Sequence, residues 1–141
     1  MPHAESRRTS IQRTWEKAWN HGEVDALDEL HGPGYLRRNA ESHPLDLDAF
    51  KASILATRSA FPDLTTTVDE IVIEGDRAAI RWHSSGTHQG ALLGVPATRR
   101  LVRVSGATFA RFEDGRITEE VVTWDPRTLL TALGIISVGQ D

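Results

Sequence analysis

The chain predicts an α+β domain, with helices first and a long antiparallel meander after them. Apolar residues recur at helical spacing through residue 61, and from residue 64 onward they alternate with polar ones at period two. Short turn signals, Glu74-Gly75-Asp76 and Asp114-Gly115, separate the later strands. A curved sheet covered by helices on one face leaves a hollow between the layers, a usual place for a small ligand.

Each element follows from local signals. In TSIQRTWEKAWNHG (9–22), Ile11, Trp15, Ala18 and Trp19 share one helical face, Thr9 and Gln12 make a capping box, and Gly22 closes the helix. EVDALDELHGPG (23–34) is a shorter helix with Val24, Leu27 and Leu30 inward, stopped by Gly32 and Pro33. YLRRNA (35–40) follows as a short strand. DLDAFKASILATRSAFP (46–62) is a third helix, striped by Leu47, Phe50, Ile54 and Phe61 and closed by Pro62. The meander strands are LTTTVDEIVIEG (64–75), RAAIRWHSSGTH (77–88), TRRLVRVSGATFARFE (98–113) and RITEEVVTW (116–124). Asp125 as N-cap and Pro126 at the first helical position start a last helix through Leu129, Leu130 and Leu133 to Gly134. One domain over 9–134 is expected, between a flexible N-terminus (1–8) and a C-terminal tail (135–141).

Composition narrows the function classes. At 39% hydrophobic and 26% charged the chain is globular rather than disordered. A net charge of −4 argues against a nucleic-acid partner, because the arginine pairs at 7–8, 37–38 and 99–100 are scattered among acids. The absence of cysteine removes disulfides, thiol nucleophiles and thiolate zinc sites together. MPHAESRRTS has no apolar core of a secretory signal, and no run approaches membrane-spanning length, so a soluble, cytoplasmic protein without a membrane partner is expected. No His, Asp and Glu residues show convergent metal-ligand spacing, and no metal is expected.

AWNHGEVDALDEL, GPGYL, AFPDL, EGDRAAIRW, GTHQGALLGVPAT and FARFEDGRITEEVVTWD, followed by LLTALG, stand in an order shared with a known family. Over roughly residues 9–134 the chain resembles the SnoaL-like polyketide cyclases, of the superfamily that includes nuclear transport factor two, ketosteroid isomerase and limonene epoxide hydrolase. The resemblance implies a cone-shaped α+β barrel: a curved, mainly antiparallel sheet with the N-terminal helices packed over its concave face. It implies a conical pocket, a homodimer, and acid–base chemistry on a polyketide-like skeleton without a cofactor. Relatives also include proteins implicated in anthracycline hydroxylation and binders without catalysis. The resemblance carries a departure too. The aspartate that serves the cyclases as general acid/base, and a key aspartate of the epoxide hydrolases, both fall at Val122. The cyclases' glutamine and histidine one strand over fall on Gly106 and Thr108.

If Val122 is the inward position of its strand, alternation puts Glu120 and Trp124 on the same face and sends Glu119, Val121 and Thr123 outward. Glu120 is then the candidate general acid or base, with a pKa raised by desolvation; the bland alternative is a structural, paired glutamate. Arg38, three residues beyond Tyr35 where many relatives carry a histidine, is its candidate electrostatic partner, and a solvated arginine is the alternative there. Candidate ligand contacts are Trp19, Tyr35, Asn39, Trp82, His88, Thr108, Val122 and Trp124. His83, alternating with Arg81 and Ser85, reads as outward or as part of a dimer face. The favoured reading is a SnoaL-like enzyme of secondary metabolism that cyclises, isomerises or rearranges a hydrophobic, polycyclic intermediate. A non-catalytic binding or partner-assisting domain is the rival, and an accessory role in polyketide hydroxylation is the third possibility.

Overall fold

A computed structural model describes residues 3–39, 43–92 and 94–136. In chain order it forms helix α1 (His3–Trp15), a π turn (Glu16–Asn20), a 3-10 turn (Val24–Ala26), α2 (Leu27–Leu30), β1 (His31–Arg38), α3 (Leu47–Ala60), β2 (Thr65–Glu74), β3 (Arg77–Thr87), β4 (Leu101–Glu113), β5 (Arg116–Trp124) and α4 (Pro126–Ala132). The strands make one sheet in the order β1-β5-β4-β3-β2. β1 runs parallel to β5, and every other pair is antiparallel. The α+β expectation holds, with a mixed, mostly antiparallel sheet.

The meander closes where its turn residues predict. Asp114 and Gly115 both take positive φ (50° and 80°), the conformation a tight two-residue hairpin needs. Asp125 caps α4 by accepting from the Arg127 amide at 3.0 Å, with Pro126 following it. Asp46 does the same for α3 through the Ala49 amide at 2.9 Å.

The N-terminal half departs from expectation in two places. α1 starts at His3, six residues before the predicted Thr9 cap. Arginines hold that extra length on the sheet: Arg7 donates to the Gly75 carbonyl at 2.7 Å and lies 4.5 Å over the Phe112 ring, and Arg8 donates to the Ile71 carbonyl. Gly32 and Pro33 do not stop a helix but belong to β1, which begins at His31. Pro33 is tolerated because β1 is an edge strand and the ladder there is irregular, the register shifting between His31 and Leu36. Ala40, the last residue of the predicted strand, lies outside the described residues, as does the tail beyond Ile136.

The core lies between the helices and the concave face of the sheet. Ile11, Trp15, Ala18, Leu27, Leu30, Phe50 and Ile54 come down from the helical layer onto Ile71, Ala78, Ile80, Trp82, Ala110, Phe112, Ile117 and Val122. A second cluster of Ala60, Phe61, Leu64, Val102 and Leu133 joins the end of α3 to α4 and β4. The π turn is pinned over the hollow's edge. Asn20 exchanges hydrogen bonds with the backbone of Thr66 (2.7 and 3.0 Å), and Arg58 donates to the Trp19 carbonyl at 2.7 Å.

Candidate functional site

Between the helical layer and the sheet lies a hollow of about 380 Å³, a size typical of small-molecule sites. Its walls include Trp15, Trp19, Trp82 and Trp124, with Phe61, Val104 and Val122 among the aliphatic and aromatic fill. Arg37 is the one charged side chain among the described residues that line it. Ser53, Thr57, Thr66 and Ser84 add hydroxyls, already engaged. Ser53 donates to the Phe50 carbonyl and Thr57 to the Ser53 carbonyl, both at 2.8 Å, while Thr66 and Ser84 bond each other at 2.7 Å.

The wall at Trp82 depends on a neighbour without a side chain. Trp82, Gly106 and Trp124 face one another across β3, β4 and β5. A Cβ on Gly106 would lie 2.7 Å from Trp82 Cζ2, 2.6 Å from the Thr123 carbonyl oxygen and 2.9 Å from Trp124 Cβ. Glycine at 106 therefore lets the indole rest across β4, where its Nε1 donates to Thr108 Oγ1 at 3.1 Å.

Beside the hollow sits a buried polar cluster centred on Glu120, whose side chain is 1% exposed. Tyr35 donates its hydroxyl to Glu120 Oε1. His31 Nε2 and Arg37 Nη1 approach the same oxygen at 3.5 and 3.6 Å, as electrostatic contacts rather than formed hydrogen bonds. His31 Nδ1 donates to the Leu27 carbonyl at 2.9 Å, which fixes the ring, and the ring packs edge-on against Tyr35 with centroids 4.5 Å apart. Arg37 lies 4.3 Å over the Phe50 ring, its side chain 16% exposed, and its backbone is tied to Leu45 by paired hydrogen bonds of 2.8 and 2.9 Å. Burial alone would push the Glu120 carboxyl up, but His31, the Arg37 guanidinium and the Tyr35 hydroxyl outweigh it and hold the pKa below its ordinary value. Burial, and after it the adjacent carboxylate, push the Tyr35 phenol far up, so it stays a neutral donor.

Several sequence expectations meet here and several do not. Trp19, Asn39, Trp82, Val122 and Trp124, the expected ligand contacts, line the hollow. Tyr35 and Thr108 are buried and face inward but act behind the wall, one on Glu120 and the other on Trp82. His88 is fully buried but is not part of the lining. Its Nδ1 accepts from the Thr98 amide at 3.1 Å and so fastens the 88–100 loop. Glu120 turns inward as strand parity requires, yet it does not line the hollow and its pKa moves opposite to the expected direction. Arg38 points outward and pairs with Glu119 at 3.2 Å. The inward arginine is Arg37, two residues beyond Tyr35 and in register with Glu120, because strand faces alternate. Outward-facing His83 pairs with Asp69 at 2.8 Å. Reasoning from sequence missed His31, Arg37 and the α3 residues Ser53 and Thr57. Simple alternation from Tyr35 is the signal that finds Arg37.

Among the described residues no group of three or more His, Asp or Glu converges as metal ligands, and no helix is long and apolar enough to cross a membrane.

A curved sheet with helices over a hollow on its concave face defines a ketosteroid isomerase-like α+β protein. A protein with that fold from Catenulispora acidiphila superposes with a TM-score of 0.71 at 18% identity, over 92% of this chain and 95% of the other. More specifically, the sequence profile of the SnoaL-like polyketide cyclases matches residues 9–133, and the chain belongs to that family. It is similar to IdmH of Streptomyces antibioticus, a proposed polyketide cyclase (31% identity, 91% and 98% of the two chains, TM-score 0.77). It is also similar to TsrD of Streptomyces laurentii (31%, 92% and 98%, 0.80) and to AclR of Streptomyces galilaeus, a proposed hydroxylase (27%, 94% and 98%, 0.81). Among curated protein sequences none matches the chain.

Proposed function

We propose that the hollow binds a hydrophobic, polycyclic, polyketide-like intermediate and that the protein promotes its cyclisation, isomerisation or a related rearrangement without a cofactor. The observation that supports this best is the tryptophan-walled hollow itself, set in a chain of the SnoaL-like family. The charged group a bound ligand would meet is Arg37, and a guanidinium in an apolar site stabilises negative charge developing on a ligand oxygen. Glu120 holds that guanidinium in place rather than touching the ligand.

A second reading is a binding or partner-assisting domain, including an accessory role in hydroxylation. It is favoured by one fact: among the described lining residues there is no Asp, Glu or His to move a proton. The two readings separate in one experiment. A polyketide-like aromatic ketone should quench tryptophan fluorescence saturably, and the bound ketone should then be converted to an isomeric or cyclised product. Saturable quenching with no conversion selects the binding domain, and no quenching rejects the site.

The same reading includes a homodimer. The outer sheet face carries a row of Val72, Ala79, Phe109 and Val121 in register across four strands, and Val72 and Phe109 are more than half exposed. That row, rather than the polar row of Arg81, His83 and Ser85, is the surface a second copy would bury. Sedimentation at micromolar concentration should show a dimer; a lone 15.6 kDa species rejects it.

A further inference from the structure

We infer that the molecule held in the hollow carries an oxygen that bears or develops negative charge — a carboxylate, phenolate or enolate — and that Arg37 is the subsite that reads it. The inference rests on the reading that the hollow is the ligand site, and it names what that ligand must contain.

The first support is the state of Arg37. Its Nη1 is buried with no hydrogen-bond partner among the described residues. Its contact with Glu120 is through a single oxygen at 3.6 Å. That oxygen is shared with the Tyr35 hydroxyl and with His31 Nε2, while Glu120 Oε2 has no hydrogen-bond partner among the described residues. One carboxylate charge is thus divided among three neighbours, and Nη1 of the guanidinium still lacks a hydrogen-bond acceptor among the described residues.

The second support is the rest of the lining. Of the polar lining, which also includes Asn39 and Ser85, the residues Ser53, Thr57, Thr66 and Ser84 already bond backbone or one another, and the Trp82 N–H is committed to Thr108. A ligand that fills the hollow strips the remaining water from Arg37. A purely hydrocarbon surface would leave the guanidinium N–H groups buried and unpaired, which is strongly unfavourable. An anionic oxygen removes that cost, and a carboxylate or the enolate of a 1,3-dicarbonyl matches the planar fork with two parallel bonds. Arg37 is also preorganised for the task, since stacking on Phe50, the Leu45 backbone bonds and Glu120 all restrict it.

The test compares two flat probes of nearly equal shape, 2-anthracenecarboxylate and 2-anthracenecarboxamide, by tryptophan quenching. The parent protein should prefer the carboxylate by about tenfold or more at neutral pH. That preference should fade once the probe itself is protonated. Arg37→Met combined with Glu120→Gln removes the Arg–Glu pair as a unit, so neither of those two partners is left without the other. The double variant should bind the carboxamide within about threefold of the parent and lose the carboxylate preference. Should it fail to fold, Arg37→Gln serves the same comparison, and Arg37→Lys should keep part of the preference. Equal binding of both probes by the parent, or a preference that survives loss of Arg37, overturns the inference while leaving the hollow as a binding site. Failure of both probes to bind the parent overturns the hollow and the inference with it.

Discussion

Two arginine–glutamate pairs sit one residue apart on opposite faces of the same two strands. Arg38 and Glu119 meet at 3.2 Å on the outer face, with side chains 46% and 32% exposed. Arg37 and Glu120 face each other at 3.6 Å on the inner face, with the carboxylate almost wholly buried. By distance the outer pair is the better ion pair. By consequence the order reverses, because water screens the outer charges whether or not they touch. Among the described residues the inner carboxylate is met by Arg37, Tyr35 and His31 in place of water, so removing one partner leaves the other poorly compensated.

The largest expected effect follows from that reversal. Glu120→Gln should destabilise the protein by about 3–5 kcal/mol in urea unfolding at neutral pH, since it leaves the Arg37 charge uncompensated in the interior. The double variant with Arg37→Met should recover most of the loss. A loss below about 1 kcal/mol for Glu120→Gln would put the inner pair in the same energetic class as the outer one.

Acidification offers a second, smaller measure of the same contrast. The Glu120 pKa is depressed in the folded state, so its contribution is present above the unfolded carboxyl value and is lost as pH falls through the folded one. The parent should therefore lose stability on the acid side more steeply than Glu120→Gln. Parallel acid limbs for the two proteins would place the depression elsewhere.

The smallest effect belongs to the outer pair. Glu119→Gln should change stability by about 0–1 kcal/mol, and added salt should erase the difference. A large, salt-insensitive loss would mean that this face is covered in solution, as the homodimer would have it.

The two pairs also show how far the sequence could be read. Residues 120, 122 and 124 share a face because no bulge interrupts β5 between them, so parity from Val122 placed Glu120 and Trp124 correctly. The Asp114-Gly115 hairpin and the Asp125-Pro126 cap were equally plain, since their chemistry is local. β1 was harder. Its Gly-Pro-Gly run imitates a helix stop, its ladder is irregular, and it joins the sheet in parallel to a strand about 85 residues later, which no local signal announces. A position counted by likeness to relatives chose Arg38, whereas simple alternation from Tyr35 gives Arg37. His31 was invisible for the same reason: until β1 is known to start there, nothing turns its ring toward Glu120. The depressed pKa was illegible as well, because burial and pairing act in opposite directions and only the assembled cluster decides between them.

Gly106 stands outside the lining of the hollow, yet it sets one of the hollow's walls. The Trp82 indole lies back across β4 only because no Cβ occupies the space 2.7 Å from its ring. A single added methyl would meet that ring and also the Thr123 carbonyl oxygen at 2.6 Å and Trp124 Cβ at 2.9 Å, so the indole and the β4–β5 backbone would both have to move. The set of the Trp82 wall and the close spacing of β4 and β5 are thus fixed together at this one glycine.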